Sequence, residues 1–417
     1  MLPASTVTLS TARPPILDAT ALNRESRCAL LDEQGLRAVL SQQVDGETLC
    51  EMIIEQRPHL LANSEVFLSQ AQYQQQRQII DAIERVLALP GYRETVLYDA
   101  PDSARFSPKA KGVFLGYDFH LTASGPKLIE INSNAGGALL NITVAPAYGI
   151  SGSETAEAAI IAMFRQEWQL EQPHARLQTM AIVDEQPSAQ YMLPEFLLFR
   201  NLFIRHGIEI RICDPGELRL HAGGLYHHDT RIDLAYNRLT DFALEAPAQA
   251  ALLEAYLQGA VVVTPHPQNH ALYADKSNLE LLCDGTFLEA LGIDDETRDI
   301  LVNGIAHTAR VYPSQAEDLW QRRKQLFFKP SRGYGSKAAY RGDKLTRGVF
   351  SSLLQERYVA QSLTPPSTRS VMVEGTPTEL KLDLRHYVYQ GQTQWLCARL
   401  YQGRPRISAR LAAALHR

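Results

Sequence analysis

At 417 residues and 46.5 kDa the chain is too long for one ordinary core and predicts about two or three domains. With 45% hydrophobic and 21% charged residues it has the balance of a soluble globular protein, which excludes a disordered or fibrous chain. A formal net charge of −5 excludes a general electrostatic affinity for nucleic acid or an anionic membrane, while leaving room for local basic pockets.

Cys28, Cys50, Cys213, Cys283 and Cys397 are scattered and form no CxxC pair, so neither a disulfide framework nor a zinc ribbon is predicted. The opening MLPASTVTLSTARPP has no basic start followed by an apolar stretch, and no later run reaches membrane-span length. A cytoplasmic location is the expectation.

In chain order, Ile16 to Leu89 reads as mainly helical, with apolar residues at helical spacing over Leu36–Val44 and Tyr73–Leu87. Pro90-Gly91 stops that run, and Gly112–Leu121 reads as a strand. The turn Ala123-Ser124-Gly125-Pro126 leads into a second strand-like run from Lys127 to Gly137, predicting a hairpin or two neighbours in one sheet. Alternation there puts Glu130, Asn132 and Asn134 on one face, beside Gly136 and Gly137, which admit a close backbone or phosphate. Three oxygen-bearing side chains suit a hard cation such as Mg²⁺; a solvated strand end before a turn uses the same residue types.

Glu154–Leu170 reads as a helix bounded by Gln172-Pro173. Met180–Asp184, Tyr191–His206, Gly207–Cys213 and Ile232–Asn237 then read as strand, helix, strand and strand, a small parallel α/β unit. Lys276 is placed at a strand-to-helix junction before a helix over Ser277–Leu291, where it faces either a phosphate or solvent. Phe327-Phe328-Lys329-Pro330 is a strand that delivers a lysine into the loop Ser331-Arg332-Gly333-Tyr334-Gly335-Ser336-Lys337. Glycine N–H groups with nearby cations suit nucleotide phosphates, and a basic surface turn has the same composition. The loop is neither GxxxxGK[ST] nor GxGxxG.

Tyr358-Val359-Ala360-Gln361 is a short strand before Pro365-Pro366, able to offer backbone groups to an adenine edge or to serve as a connector. Leu380–Tyr389 and Trp395–Leu400 read as a hairpin about Gln390-Gly391. Its alternation sends Asp383, Arg385 and Tyr387 to one face and Leu384 and His386 to the other. An acid two residues from an arginine serves metal and phosphate together, or forms a cross-strand ion pair. His227-His228 and the pair His266 and His270 do not form HExxH, and there is no GxSxG or recognisable cysteine nucleophile, so zinc and covalent hydrolase chemistry are not predicted.

Together these segments resemble the ATP-grasp superfamily in its circularly permuted form, where the E-x-N strand precedes the lysines, as in eukaryotic glutathione synthetase and, more distantly, glutathionylspermidine synthase. The resemblance covers residues 110–145 and 270–403. It implies an α/β (α+β) fold with a mainly helical region at 1–105, a permuted ATP-grasp segment at 106–170, a substrate-domain-like α/β unit at 171–270 and a lid and nucleotide-binding segment at 271–417. It implies ATP and Mg²⁺, with Glu130, Asn132 and Asp383 on the metal and Lys276 and Lys329 on the phosphates. Gly333, Gly335 and Ser336 would belong to the lid loop, and Tyr358, Val359 and Gln361 to the adenine hinge. Arg385 or Arg399 would neutralise developing phosphate charge, and Arg238, with Asn134, would meet the substrate.

The implied activity joins a carboxylate to an amine through an acyl phosphate, with small-molecule or peptide-like acids and amines as partners and no nucleic acid or membrane. A small-molecule kinase and a nucleotide-binding protein without catalysis are the alternatives. The chain departs from glutathione synthetase in having no acid in Ser331-Arg332-Gly333-Tyr334 and no arginine in Leu115-Gly116-Tyr117-Asp118, which argues against a glutathione-type substrate. In place of the family's second glycine-rich loop stands the Arg/Ala-rich tail from Arg404 to Arg417, which reads as a helix or as a frame-shifted or truncated end.

Overall fold

The computed structural model describes residues 19, 23, 33–62, 66–333, 338–373, 376–402 and 410–416. The first predicted hairpin forms from Leu115–Thr122 and Gly125–Asn132. The second, Thr376–Tyr389 with Gln392–Tyr401, turns at Gln390 and Gly391, both with positive φ, and pairs antiparallel with the first through Leu115–Thr122. Thr368–Val373, Arg410–His416 and Val66–Leu68 complete a seven-stranded sheet. The helical expectation for the tail is corrected here: Arg410–His416 runs antiparallel to Gln392–Tyr401, where pairing with an open strand edge overrides the helix preference of its alanines.

Strand alternation separates the sheet's two faces. Tyr117, Phe119, Leu128, Ile131, Leu382 and Leu384 pack into a core with Ile79, Ile80, Ile83 and Val86 of the helix Gln70–Leu87. That helix starts at a capping box, Ser69 Oγ accepting from Gln72 N while Gln72 Oε1 accepts from Ser69 N. The opposite face carries Asp118, Glu130 and Arg385, which share one cross-strand row.

The parallel α/β unit is present: Glu209–Cys213, Thr179–Val183, Leu234–Asn237 and Val262–Thr264 lie side by side, all parallel. Helices Ser153–Glu171 and Leu193–Arg205 cover one face through Phe164, Phe199 and Phe203, which cluster around Tyr236. A third sheet is antiparallel, in the order Thr308–Arg310, Tyr358–Ser362, Leu326–Pro330, Tyr340–Arg341.

Two local expectations are corrected. The helix expected over Ser277–Leu291 is two, Asn278–Leu282 and Gly285–Ala290, because the Asp284 carboxylate accepts from Thr286 N and Phe287 N and starts a new helix. Lys276 follows the helical segment His270–Ala274 rather than a strand. No helix among the described residues is long and apolar enough to cross a membrane.

The large sheet and the parallel unit meet at Glu167, a fully buried carboxylate. Its oxygens accept from Lys111 N (2.8 Å), Gly112 N (2.9 Å), Thr264 Oγ1 (2.6 Å) and Tyr389 OH (2.9 Å). Glu167→Ala orphans all four donors, so it is expected to lower unfolding stability by about 3 kcal/mol or more in urea titration. A loss within about 1 kcal/mol would show that water replaces the carboxylate there.

Candidate active site

The polar face of the large sheet is organised by Asp118, which is fully buried. Arg385 donates to both its oxygens at 2.6 Å, from Nε to Oδ1 and from Nη2 to Oδ2. Arg399 adds Nη2 to Oδ2 at 2.8 Å and grips Asp383 through Nε (2.6 Å) and Nη2 (2.9 Å). Gly116 makes room for this: a Cβ there would stand 2.7 Å from Ala135 Cβ and 3.3 Å from Arg385 Nε. Burial pushes the Asp118 carboxyl up and disfavours charge on Arg399, while the guanidinium contacts oppose both; Arg399 ends well above its ordinary value.

Asn132 Nδ2 donates to Asp118 Oδ2 (3.1 Å) and to Glu130 Oε1 (3.3 Å). Among the described residues this is Glu130's one hydrogen-bond partner, and Glu130 makes no ion pair. Burial pushes the Glu130 carboxyl up, but Lys276, Lys329, Arg399 and Arg385 together outweigh it and hold the group well below the ordinary carboxylate range. It is an ionised, half-buried carboxylate with coordination to spare.

The lysines arrive from other elements. Lys329, on Leu326–Pro330, donates to Ile129 O (3.2 Å) and Gln361 Oε1 (2.9 Å). Ile129 is the unpaired residue of a β-bulge, since Asp118 faces Glu130 while Phe119 faces Leu128. Gln361 is held by Thr308 Oγ1 and also donates to Ile129 O. Burial lowers the Lys329 ammonium, Glu130 opposes this and Lys276 adds to it. Lys276 is buried and donates to Gly333 O at 2.8 Å, while the Asp275–Arg332 ion pair at 2.9 Å fixes the same loop.

The expected residues thus fall into three groups. Glu130, Asn132, Asp383, Arg385 and Arg399 share one network, and Lys276, Lys329, Gly333 and Gln361 stand beside it. Arg238 and Asn134 form a third cluster, below. Asp118 is the centre that sequence reasoning missed; the signal was a lone charge in the apolar strand Leu115-Gly116-Tyr117-Asp118-Phe119, opposite Glu130 in a hairpin. Gly335 and Ser336 lie outside the described residues. Tyr358, Val359 and Gln361 sit in a middle strand paired on both sides, which commits the backbone expected to meet an adenine to the sheet.

Two further expectations change. Asn134 lies past the strand end rather than on its face, donating from Nδ2 to Arg238 O (2.7 Å) and Leu239 O (3.1 Å). The close approach at the glycine turn comes from within the protein: Glu195 accepts from Gly137 N and Leu139 N, and a Cβ on Gly136 would stand 2.8 Å from Arg238 Nη2. Arg238 itself is buried and, among the described residues, donates only to Tyr236 OH at 3.3 Å and leaves Nε unpartnered.

No group of three His, Cys, Asp or Glu side chains that could hold a metal is found among the described residues. Glu130 with Asn132 still fits Mg²⁺, which commonly takes one or two protein oxygens and completes its shell with phosphates and water. Both Asp383 oxygens are taken by Arg399.

No family model and no curated protein matches the sequence. Among solved structures, a glutathione synthetase-like effector from Globodera pallida in its apo form is similar over 86% of this chain and 90% of its own, at 12% identity and a TM-score of 0.54. A putative gamma-glutamylcysteine synthetase from Methylobacillus flagellatus aligns over 81% and 84% at 12% identity (TM-score 0.47), and D-cycloserine synthetase over 50% and 68% at 17% (TM-score 0.28). The chain has a mixed α/β fold similar to that of the glutathione synthetase-like effector.

A depressed carboxyl contributes stability above its ordinary value of 4.5, and that stability is lost as pH falls below it, because the unfolded chain takes up the proton first. The stability difference between wild type and Glu130→Gln in urea is therefore expected to be flat from about pH 5.5 to 8 and to shrink below about pH 4.5. A difference that stays constant into acid would mean that the lysines do not act on Glu130.

Proposed function

We propose that the protein is an ATP- and Mg²⁺-dependent ligase that joins a carboxylate to an amine through an acyl phosphate, releasing ADP and phosphate. The observation that carries this reading is the convergence, from separate elements, of an ionised Glu130 with spare coordination, Asn132, and two lysines with few fixed partners. Mg²⁺ held by Glu130 and Asn132 would supply positive charge that partly neutralises the phosphates. Chain order, with Glu130 before Lys276 and Lys329, fits the permuted arrangement.

In the first step a substrate carboxylate oxygen attacks the γ-phosphorus, the bond to the β–γ bridging oxygen breaks, and ADP leaves. In the second the amine nitrogen attacks the acyl carbon, the carbon–oxygen bond to phosphate breaks, and a proton passes from nitrogen to solvent. Side chains do little covalent work in such a transfer, so their share is positioning and charge neutralisation. Lys329 and Lys276 supply fixed positive charge to the phosphates, and Arg399, already oriented by two carboxylates, faces the charge that develops. Arg238 is suited to a substrate carboxylate because, among the described residues, its buried guanidinium makes no ion pair and leaves Nε unpartnered, with Glu195 and Asp184 acting on it only without direct contact. The substrates would be small or peptide-like acids and amines met in the cytoplasm.

A panel of acids and amines with Mg·ATP, read for ADP and inorganic phosphate together, tests the proposal: equimolar release with an active pair is expected. ADP without phosphate would indicate a kinase. Neither product from any pair, with Mg·ATP still bound in calorimetry, would indicate a nucleotide-binding protein without catalysis. Lys329→Met and Glu130→Ala are each expected to reduce turnover about 10²–10³-fold or more with an unchanged far-UV circular dichroism spectrum. Wild-type turnover in either variant would sink the assignment.

A further inference from the structure

Immediately after the Glu130–Asn132 strand end lies a small recess at the carboxyl end of the parallel strands Leu234–Asn237 and Val262–Thr264. It is lined by Ser133, Asn134, Asn237, Phe242, His266 and His270, with Leu239 and Pro265. Ligands of open α/β sheets gather at that edge. Most of the polar lining is satisfied. Asn237 accepts from Leu239 N and donates to Pro265 O, and His266 uses Nδ1 toward Asn269 N and Nε2 toward Ala110 O.

Among the described residues, two lining atoms are buried without a partner, Asn134 Oδ1 and His270 Nε2. Neither can turn to find one. Asn134 has committed both amide hydrogens to Arg238 O and Leu239 O, which fixes Oδ1 as an acceptor. His270 is 9% exposed, stacks on Phe242 at 3.8 Å and 7°, and uses Nδ1 on Ser133 Oγ at 3.2 Å. Buried polar groups left this way are sites for a ligand or an ordered water.

We propose that this recess holds the amino group of the amine substrate, between Asn134 Oδ1 and His270 Nε2; the assignment rests on the ligase reading above. A primary amine serves either tautomer of His270, donating to both acceptors or donating to Asn134 while its lone pair accepts from Nε2–H. A carboxylate cannot, because its oxygens would face Asn134 Oδ1. Burial, with Lys276 adding to it, lowers the His270 imidazole to about 3, so the ring is neutral at physiological pH. The same burial, with Lys276 and Arg332 adding to it and Asp275 opposing, disfavours an ammonium and favours the uncharged amine, the form with a free lone pair for attack. His270 and Asn134 are thus assigned to amine selection, and Arg238, whose carbonyl holds Asn134, to the acid.

Hydroxylamine, a small amine uncharged at neutral pH, is the probe. In ¹⁵N-histidine-labelled protein the His270 ring resonance, assigned by its loss in His270→Phe, is expected to shift saturably with hydroxylamine and to stay unmoved by acetate. Methanol serves as the control for a hydroxyl or water site. The proposal is overturned if hydroxylamine leaves His270 unmoved, if acetate shifts it instead, or if methanol shifts it equally. With an active acid from the panel, His270→Phe, which keeps the stacked ring and removes the nitrogen, is expected to raise the hydroxylamine concentration for half-maximal hydroxamate formation about tenfold and leave that for ATP unchanged. An unmoved His270 with Mg·ATP still bound in calorimetry removes the recess assignment alone. Absence of Mg·ATP binding removes the ligase reading, and with it the recess as an amine site.

Discussion

Everything on the polar face of the large sheet depends on Asp118, a buried carboxylate shared by two arginines. A lone charge there would cost several kcal/mol, so the site exists only because Arg385 reaches it from the neighbouring strand and Arg399 from the strand beyond. This fixes more than a contact. Strand side chains alternate, so a slip of one residue between Leu115–Thr122 and Thr376–Tyr389 would put Leu384 or His386 against the carboxylate and send Arg385 into the apolar core. The allocation also decides what is left for chemistry. Asp118 and Asp383 absorb the two guanidiniums, and Glu130, one position along the same row, is influenced by the lysines without being paired by them. The carboxylate that is free for a cation is free because its neighbours are not.

A second constraint joins the antiparallel sheet to this face. The bulge at Ile129 points one carbonyl away from the hairpin ladder, and Lys329 and Gln361 both donate to it. Gln361 is steadied by Thr308, whose own hydroxyl donates to Ala306 O, and Ala306 N returns to Leu128 O. The chain of bonds closes on the strand where it began. An unbulged Gly125–Asn132 strand would direct that carbonyl into the sheet and leave Lys329 without its backbone anchor.

Much of this was legible because it is local. Two hairpins and the parallel unit are signalled by alternation, turn residues and strand–helix–strand spacing, and alternation alone put Asp383, Arg385 and Tyr387 on one face. The failures are places where a distant or single-residue effect wins. Asp284 interrupts an otherwise helical pattern from Ser277 to Leu291 by capping a new helix. Arg410–His416 joins an edge that only the folded sheet provides. Asp118 shows in the sequence only as a lone charge in an apolar strand, because its partners are arginines more than 260 residues later. The glycine turn misled for a related reason. Small residues announce a close approach without saying by what, and here the visitors are Glu195 and Arg238.

That substitution sorts the charges of the site. The first N–H groups of Ala138–Val144 would attract an anion, and Glu195, brought by the helix Leu193–Arg205, occupies them from within the protein. A phosphate at the turn would meet a carboxylate already in place. Anion-attracting charge therefore remains in two regions: Lys276, Lys329 and Arg399 around Glu130, and Arg238 beyond the turn. The first combines several cations with a carboxylate fit for a metal, which suits polyphosphate. The second is one desolvated guanidinium with an unpartnered Nε, which suits a single carboxylate. On the proposed reading Glu195 would act by exclusion: by filling the turn between the two regions, it would keep nucleotide and acid from competing for the same positive charge.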